Sequence, residues 1–318
     1  MKFRNYLQLI YGISTFIPGF YKIRSKVKGS GGTFSSRYCY AVWFRHLISI
    51  FTKTGKNKFD TIAEVGPGDS IGVGLLALLL GAKKYYAFDV VKFANVKKNL
   101  KIFFELVDLL KKREHIPDQN EFPRVNPFLI NYEFPYYIYT DDFIEMCLSK
   151  ERIQKIEYSI INQNKDDSQI FYHNDEDIYK NKVKKNSIDL IFSQATMEHI
   201  DDIANQYKLM EYLLNSDGLI SHSIDFRSHG YASTWDKHWE YSDLYWKLLR
   251  GKRPYLINRF PLSKHLKLIE FNNFNIIDNQ IIEAESNIKN RSLNKKFIDF
   301  KDYDFTASVS YILGKKSS

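Results

Sequence analysis

One short run carries the clearest chemistry in the sequence: Glu64-Val65-Gly66-Pro67-Gly68-Asp69-Ser70-Ile71-Gly72. Gly66 and Gly68 lack Cβ atoms, so a ligand can approach the main chain there, and a helix starting just beyond would offer it unpaired N–H groups. About 20 residues past Gly68, Asp89 ends a second apolar run, where a carboxylate can accept hydrogen bonds from both hydroxyls of a ribose lying over the turn. Together the two features specify a nucleoside ligand. A nicotinamide fingerprint would need a third Gly at position 71, where this chain has Ile, and the glycine falls one place late at Gly72.

Holding such a pair in place takes a strand, a turn, a helix and a second, parallel strand. Thr61 to Val65 reads as a buried strand, 66–72 as the turn, Val73 to Leu80 as an apolar helix stopped by Gly81, and Lys84 to Asp89 as the second strand. A helical stretch over about 93–112 follows, and this βαβ start demands a parallel sheet. Residues 115–168 break the alternation with four prolines and a helix predicted from Asp141 to about Ile161. Strands return at Gln169 to His173, Ser187 to Ser193 and Gly218 to Asp225, with a helix over about 202–214. A second irregular stretch, 226–262, holds three of the four tryptophans. A helix near 263–271 and strands over 275–284 and 304–313 complete the pattern.

With 318 residues, 44% hydrophobic and 26% charged, the chain can bury a sizeable core, and a mean hydropathy of −0.37 excludes a multispanning membrane protein. Two cysteines, Cys39 and Cys147, make neither a secreted disulfide framework nor a zinc site, which fits a reducing cytoplasm. The net charge of +9 is unevenly placed: the first 58 residues carry no Asp or Glu. The charge therefore belongs to a basic N-terminal arm or lid, residues 1–58, and is no general sign of nucleic-acid binding. That arm opens with Phe3, Tyr6, Leu7, Ile10, Ile13, Phe16 and Ile17 at helical spacing and stops at Pro18-Gly19, too short to span a bilayer. No small-residue cleavage site follows, so it is not read as an export signal. The main expectation is a helix that packs on the core or covers the active site; the competing one is a peripheral contact of residues 1–28 with an anionic membrane, aided by the basic run Lys22 to Lys28.

On these motifs the sequence resembles the class I S-adenosylmethionine-dependent methyltransferases over about residues 60–315. Glu64, Gly66 and Gly68 match the family's first motif, with Ser70 in place of its third glycine, and Asp89 matches its acidic ribose-binding position. Asn174, Asp175 and Glu176 follow the third strand, where the family sets a polar residue against the adenine, and all three are candidates. Ile188 to Ile200 (IDLIFSQATMEHI) looks like the fourth motif, beneath the transferred methyl, and brings in Gln194; Leu213 to Leu219 resembles the turn before the fifth strand. The resemblance implies an α/β fold: a Rossmann-like, seven-stranded, mostly parallel sheet with a C-terminal antiparallel hairpin and helices on both faces. The domain would span 59–315, with insertions at about 115–168 and 226–262, and take S-adenosyl-L-methionine as cofactor. Residues 38–46, 121–124 and 225–230 look like a bacterial subgroup associated with surface-glycan biosynthesis.

A sulfonium already makes its methyl electrophilic, so the protein has to hold an acceptor in line and manage a proton. Acceptor groups are expected past strands four and five. His199, Asp225, His229 and His238 are the catalytic candidates, with Asp225 and His229 as an oriented base; Arg227, Trp235 and Arg259 are the substrate-binding candidates. Glu198 and His199 could instead pack a helix against the ligand loop, and His222 reads as a satisfied core histidine. No tight spacing of His and carboxylates supports a metal site. The expected function is methyl transfer to a hydroxyl or amine of a small or glycan-linked acceptor. The alternatives are a binding module that performs no transfer and a nicotinamide-dependent oxidoreductase. Nucleic acid is not expected as partner, since the Asn/Asp-Pro-Pro-aromatic tetrapeptide of amino-methylating enzymes is absent at 193–197.

Overall fold

The computed structural model describes residues 3–17, 33–90, 94–173, 182–253, 256–288 and 292–317. In chain order its elements are α1 (Phe3–Ser14), α2 (Ser36–Thr54), β1 (Thr61–Val65), α3 (Gly72–Leu79), β2 (Lys84–Phe88), α4 (Val96–Lys111), α5 (Asp141–Cys147) and α6 (Lys150–Ile161), then β3 (Ile170–His173), β4 (Ile188–Gln194), α7 (Ile203–Leu213), β5 (Leu214–Asp225), α8 (Asp243–Arg250), α9 (Leu262–Phe271), β6 (Phe274–Glu283) and β7 (Ala307–Lys316).

The strands form one sheet in the order β3-β2-β1-β4-β5-β7-β6, parallel except that β7 runs antiparallel to both β5 and β6. This is the expected Rossmann-like sheet with its reversed C-terminal pair. The chain winds outward from β1 in one direction and from β4 in the other, so a crevice opens at the carboxyl ends of these two neighbours.

Strand alternation assigns each side chain to a face. Ile62, Leu190, Phe192, Leu219, Tyr311 and Leu313 join one core with residues of α2, α3 and α4. Ala63, Val65, Ile191, Ile220, Ile224 and Ile312 join the other with residues of α7 and α9. Helices therefore cover both faces.

The proposed arm over 1–58 is not one unit. Its second half is α2, capped at its start by the Ser35 side chain and at its end by Gly55 in the left-handed region. Cys39 to Ile50 are all buried. Basic composition concealed this, because Arg37 and Arg45 find their partners far along the chain. Arg37 holds Glu121 with two bonds of 2.6 Å, and Arg45 donates to the carbonyls of Val125 and, at 2.6 Å, Pro117. Residues 38–46 and 121–124, which suggested a glycan subgroup, are thus where helix and insertion are cross-linked. The single helix expected over 141–161 is two helices broken at Leu148-Ser149, and α8 was not foreseen.

Candidate active site

The glycine turn leaves β1 with Gly66 at φ 73° and Gly68 at φ 70°, conformations that cost a side chain dearly. A Cβ on Gly66 would collide with the side chain of Thr196, just past β4, so the loop and the fourth motif pack directly on each other. Asp89, partly exposed at the end of β2, accepts a long hydrogen bond from Gly68 N–H at 3.4 Å through Oδ2, and Tyr172 OH lies 3.5 Å from the same oxygen. Its carboxylate stands over the loop, as a ribose-binding group requires.

The helix behind the loop departs from expectation. Ser70 N–H donates to Thr33 Oγ1 at 3.1 Å, Ile71 N–H to Asn99 Oδ1 at 3.2 Å and Gly72 N–H to Ser70 Oγ at 3.2 Å. Donors that a phosphate would need at a helix start are already used by the protein. The loop suits a nucleoside without phosphates better than a dinucleotide.

Glu64, expected at the cofactor, is buried on the α3 side of β1. Tyr85 OH donates to its Oε2 at 2.6 Å, and Gly74 N–H, in the first turn of α3, also reaches it. Burial, reinforced by the Asp89 charge, pushes its carboxyl up to about 8 against these bonds. The Tyr85 ring fits only because position 74 has no Cβ. Glu64 therefore braces the loop from behind and does not face the crevice. Gln194 is likewise engaged: its Oε1 lies 3.1 Å from His46 Nε2, and its amide donates to Ser223 Oγ at 3.4 Å. His46, fully buried and held down to about 4 by desolvation, also contacts Ser221 Oγ at 2.7 Å. Asn174, Asp175 and Glu176 lie outside the described residues.

At the ends of β4 and β5 the structure gathers several acceptor-side candidates. Asp225 accepts two bonds from Arg227, at 2.8 and 2.6 Å, and its Oδ2 lies 3.3 Å from His229 Nε2. Burial alone would raise the Asp225 carboxyl, but hydrogen bonds from His229 and Arg227 and their charges hold it well below the usual carboxylate range. His229 is exposed, turned back toward Asp225 by a left-handed φ of 48°. The His199 ring lies 5.3 Å from that of His229. Beside them Glu198 is buried; desolvation and the Asp225 charge push its carboxyl well above the usual range, against opposing backbone hydrogen bonds at Glu198 and Asp225.

Asn258, which carried no local signal, fixes this turn. Its backbone N–H donates to Glu198 O at 2.6 Å, and its amide to the carbonyls of Met197 and Ile200, both at 2.8 Å.

Three candidates lie apart from the crevice lining. His238 is buried against Trp239 and held down to about 3 by burial and the Arg259 charge, too weak a base for work near neutral pH. Arg259 is 4% exposed, donates to His238 O, Tyr241 O and Asp243, and lies over Trp246; it clamps the insertion. Trp235 donates to Glu285 O and packs edge-on against Trp239. His222 is the core residue expected, its Nδ1 2.8 Å from Ser193 Oγ, but among the described residues its Nε2 finds no hydrogen-bond partner. Among the described residues, no three His, Cys, Asp or Glu side chains converge to hold a metal ion.

No protein-family model and no curated protein matches the chain. Among solved structures it is similar to Haemonchus contortus phosphoethanolamine N-methyltransferase 2 in complex with S-adenosyl-L-methionine, at 11% identity over 100% of this chain and 60% of that one, TM-score 0.43. It is also similar to a Listeria monocytogenes protein provisionally described as an S-adenosylmethionine dependent methyltransferase (13% identity, 86% and 99% covered, TM-score 0.41). A third is an S-adenosylmethionine dependent methyltransferase from Mesorhizobium loti (11% identity, 80% and 90% covered, TM-score 0.39).

Proposed function

We propose that the chain is an S-adenosylmethionine-dependent methyltransferase whose acceptor is a hydroxyl or amine of a small or glycan-linked molecule. One observation carries the reading: at the carboxyl ends of β1 and β2, a carboxylate stands over a glycine loop whose flanking helix start has donors already occupied. That combination favours a ribose and disfavours a pyrophosphate. The antiparallel β7 between β5 and β6 also departs from the 3-2-1-4-5-6 order of dinucleotide-binding sheets.

Asp89 would hold the ribose hydroxyls, and Gly66 and Gly68 would let the nucleoside lie close to the main chain. When bound, the cofactor supplies an electrophilic methyl. The chain's own part is positioning and proton transfer. His229 takes the acceptor's proton, and Asp225, 3.3 Å from its Nε2, holds the ring in place. Arg227 keeps Asp225 ionised, which fixes the polarity of the pair. Burial and the Asp225 charge push the Glu198 carboxyl up, which works against a second negative charge beside Asp225.

The test is incubation of the protein with methyl-labelled S-adenosylmethionine and a fractionated cell extract. Label appearing on a hydroxyl- or amine-bearing compound supports transfer. Tight cofactor binding with no label moved across a broad acceptor screen would favour a binding module instead. A change in reduced nicotinamide fluorescence on mixing would favour an oxidoreductase.

A further inference from the structure

The helix α1 and the residues just after it leave a broad apolar side facing outward, where an ordinary surface helix is polar. Tyr6, Leu7, Ile10, Ile13, Phe16 and Ile17 are all exposed, from 38% for Phe16 to 63% for Ile10. On the inward side Leu9 packs against the small core of Trp246, Leu249, Leu256 and Ile257, and the other anchoring contacts come from polar, aromatic or small residues. Gln8 Oε1 accepts from Arg253 at 2.9 Å, Thr15 Oγ1 accepts from Lys252 N–H at 2.7 Å, and the Arg253 guanidinium lies 5.0 Å from the Tyr11 ring. Gly12 sits so close to the carbonyls of Leu248 and Leu249 at the end of α8 that any Cβ would collide with them. These contacts fix the helix's roll, so the apolar stripe cannot turn onto the protein.

Charge identifies what covers the stripe. Lys2, Arg4, Lys22, Arg24, Lys26 and Lys28 flank it in sequence, and no acid occurs before Asp60. A second copy would bring an arm with the same excess of basic residues, so charge does not favour self-pairing. An anionic bilayer takes up the apolar side chains and neutralises the flanking cations together.

We propose that this face of α1 docks on an anionic lipid surface as an interfacial helix. Among the described residues no helix is long and apolar enough to cross a membrane, so the contact is peripheral. Because α8 belongs to the same insertion as His229, docking holds the acceptor end of the crevice beside the membrane. That last consequence rests on the function proposed above; the docking itself does not.

The experiment is co-sedimentation of the full chain with phosphatidylcholine vesicles, with and without phosphatidylglycerol, alongside sedimentation velocity without lipid. The expected result is binding to the anionic vesicles only, weakened by added salt. Ile10→Asp with Ile13→Asp should lower the partition coefficient by about tenfold or more at unchanged melting temperature, since both side chains are exposed. Lys22→Glu with Lys26→Glu should weaken binding without touching the helix. No binding to anionic vesicles, equal binding by the Asp variant, or a lipid-free dimer that this variant converts to monomer would each overturn the proposal. None of these readouts involves the cofactor, so failure here is distinguishable from failure of the methyl-transfer reading.

Discussion

His229 Nε2 lies 3.3 Å from the Oδ2 of an Asp225 that Arg227 already grips through both oxygens. A carboxylate pinned in this way cannot swing, so it orients the imidazole. Replacing His229 by Gln is expected to lower the methyl-transfer rate by roughly 10²–10⁴-fold, the usual worth of a positioned base. Cofactor affinity should stay at the wild-type value in calorimetry. Equal rates in the variant would remove His229 from the mechanism.

Asn258→Ala takes away two hydrogen bonds to the carbonyls of Met197 and Ile200. The expected cost is about 1–3 kcal/mol of stability, read by denaturant unfolding, because partly buried carbonyls lose their donor. The turn carrying Glu198 and His199 should loosen, so turnover drops while S-adenosylmethionine still binds. Loss of both together would show that the turn also supports the cofactor.

Gly66→Ala meets two obstacles at once, a left-handed backbone and the Thr196 side chain. About 1–3 kcal/mol of destabilisation is expected, with cofactor affinity lost as the loop shifts. Thermal unfolding and calorimetry on the same sample check both effects.

The pH dependence of stability follows from buried groups. Desolvation holds His46 down to about 4 and His222, His238 and His265 down to about 3. Unfolded, these residues bind protons near pH 6.5, so between about 4 and 6.5 the unfolded state holds more protons and stability rises with pH. Glu64 works the other way. Burial raises it to about 8, so between about 4.5 and 8 the folded state holds the extra proton and stability falls as pH rises. Glu198, whose carboxyl is also raised, acts in the same direction as Glu64; the four histidines outweigh these two carboxyls below pH 6.5, and the carboxyls govern above it. The melting temperature should therefore climb from about pH 5 to a maximum near 6.5–7 and then decline, with Glu64→Gln flattening the alkaline side. A melting temperature still climbing between pH 7 and 8 would contradict this.

What the sequence revealed was local. Apolar runs, the two glycines and Asp89 lie within short stretches whose spacing alone sets strand and turn, and the structure places the strands close to the expected bounds. Relationships across the chain were hidden. Nothing near Tyr85 indicates that its hydroxyl braces Glu64 through the gap at Gly74, and nothing near His46 that it pairs with Ser221 and Gln194. Arg259 reads as a substrate group and His238 as a catalytic one because polar residues in an irregular stretch read as exposed. In the fold, Trp239 and Trp246 bury them. The helix start after the glycine turn looked ready for a ligand, but Thr33 and Asn99, both distant in sequence, already fill it.

Calorimetric titration of S-adenosylmethionine into the wild-type protein and Asp89→Ala tests the central claim most directly. A ribose held by this carboxylate predicts tight wild-type binding and a loss of about 1.5–3 kcal/mol in the variant, roughly ten- to over a hundredfold in Kd. Identical affinities, or no heat from the wild-type protein, would contradict it.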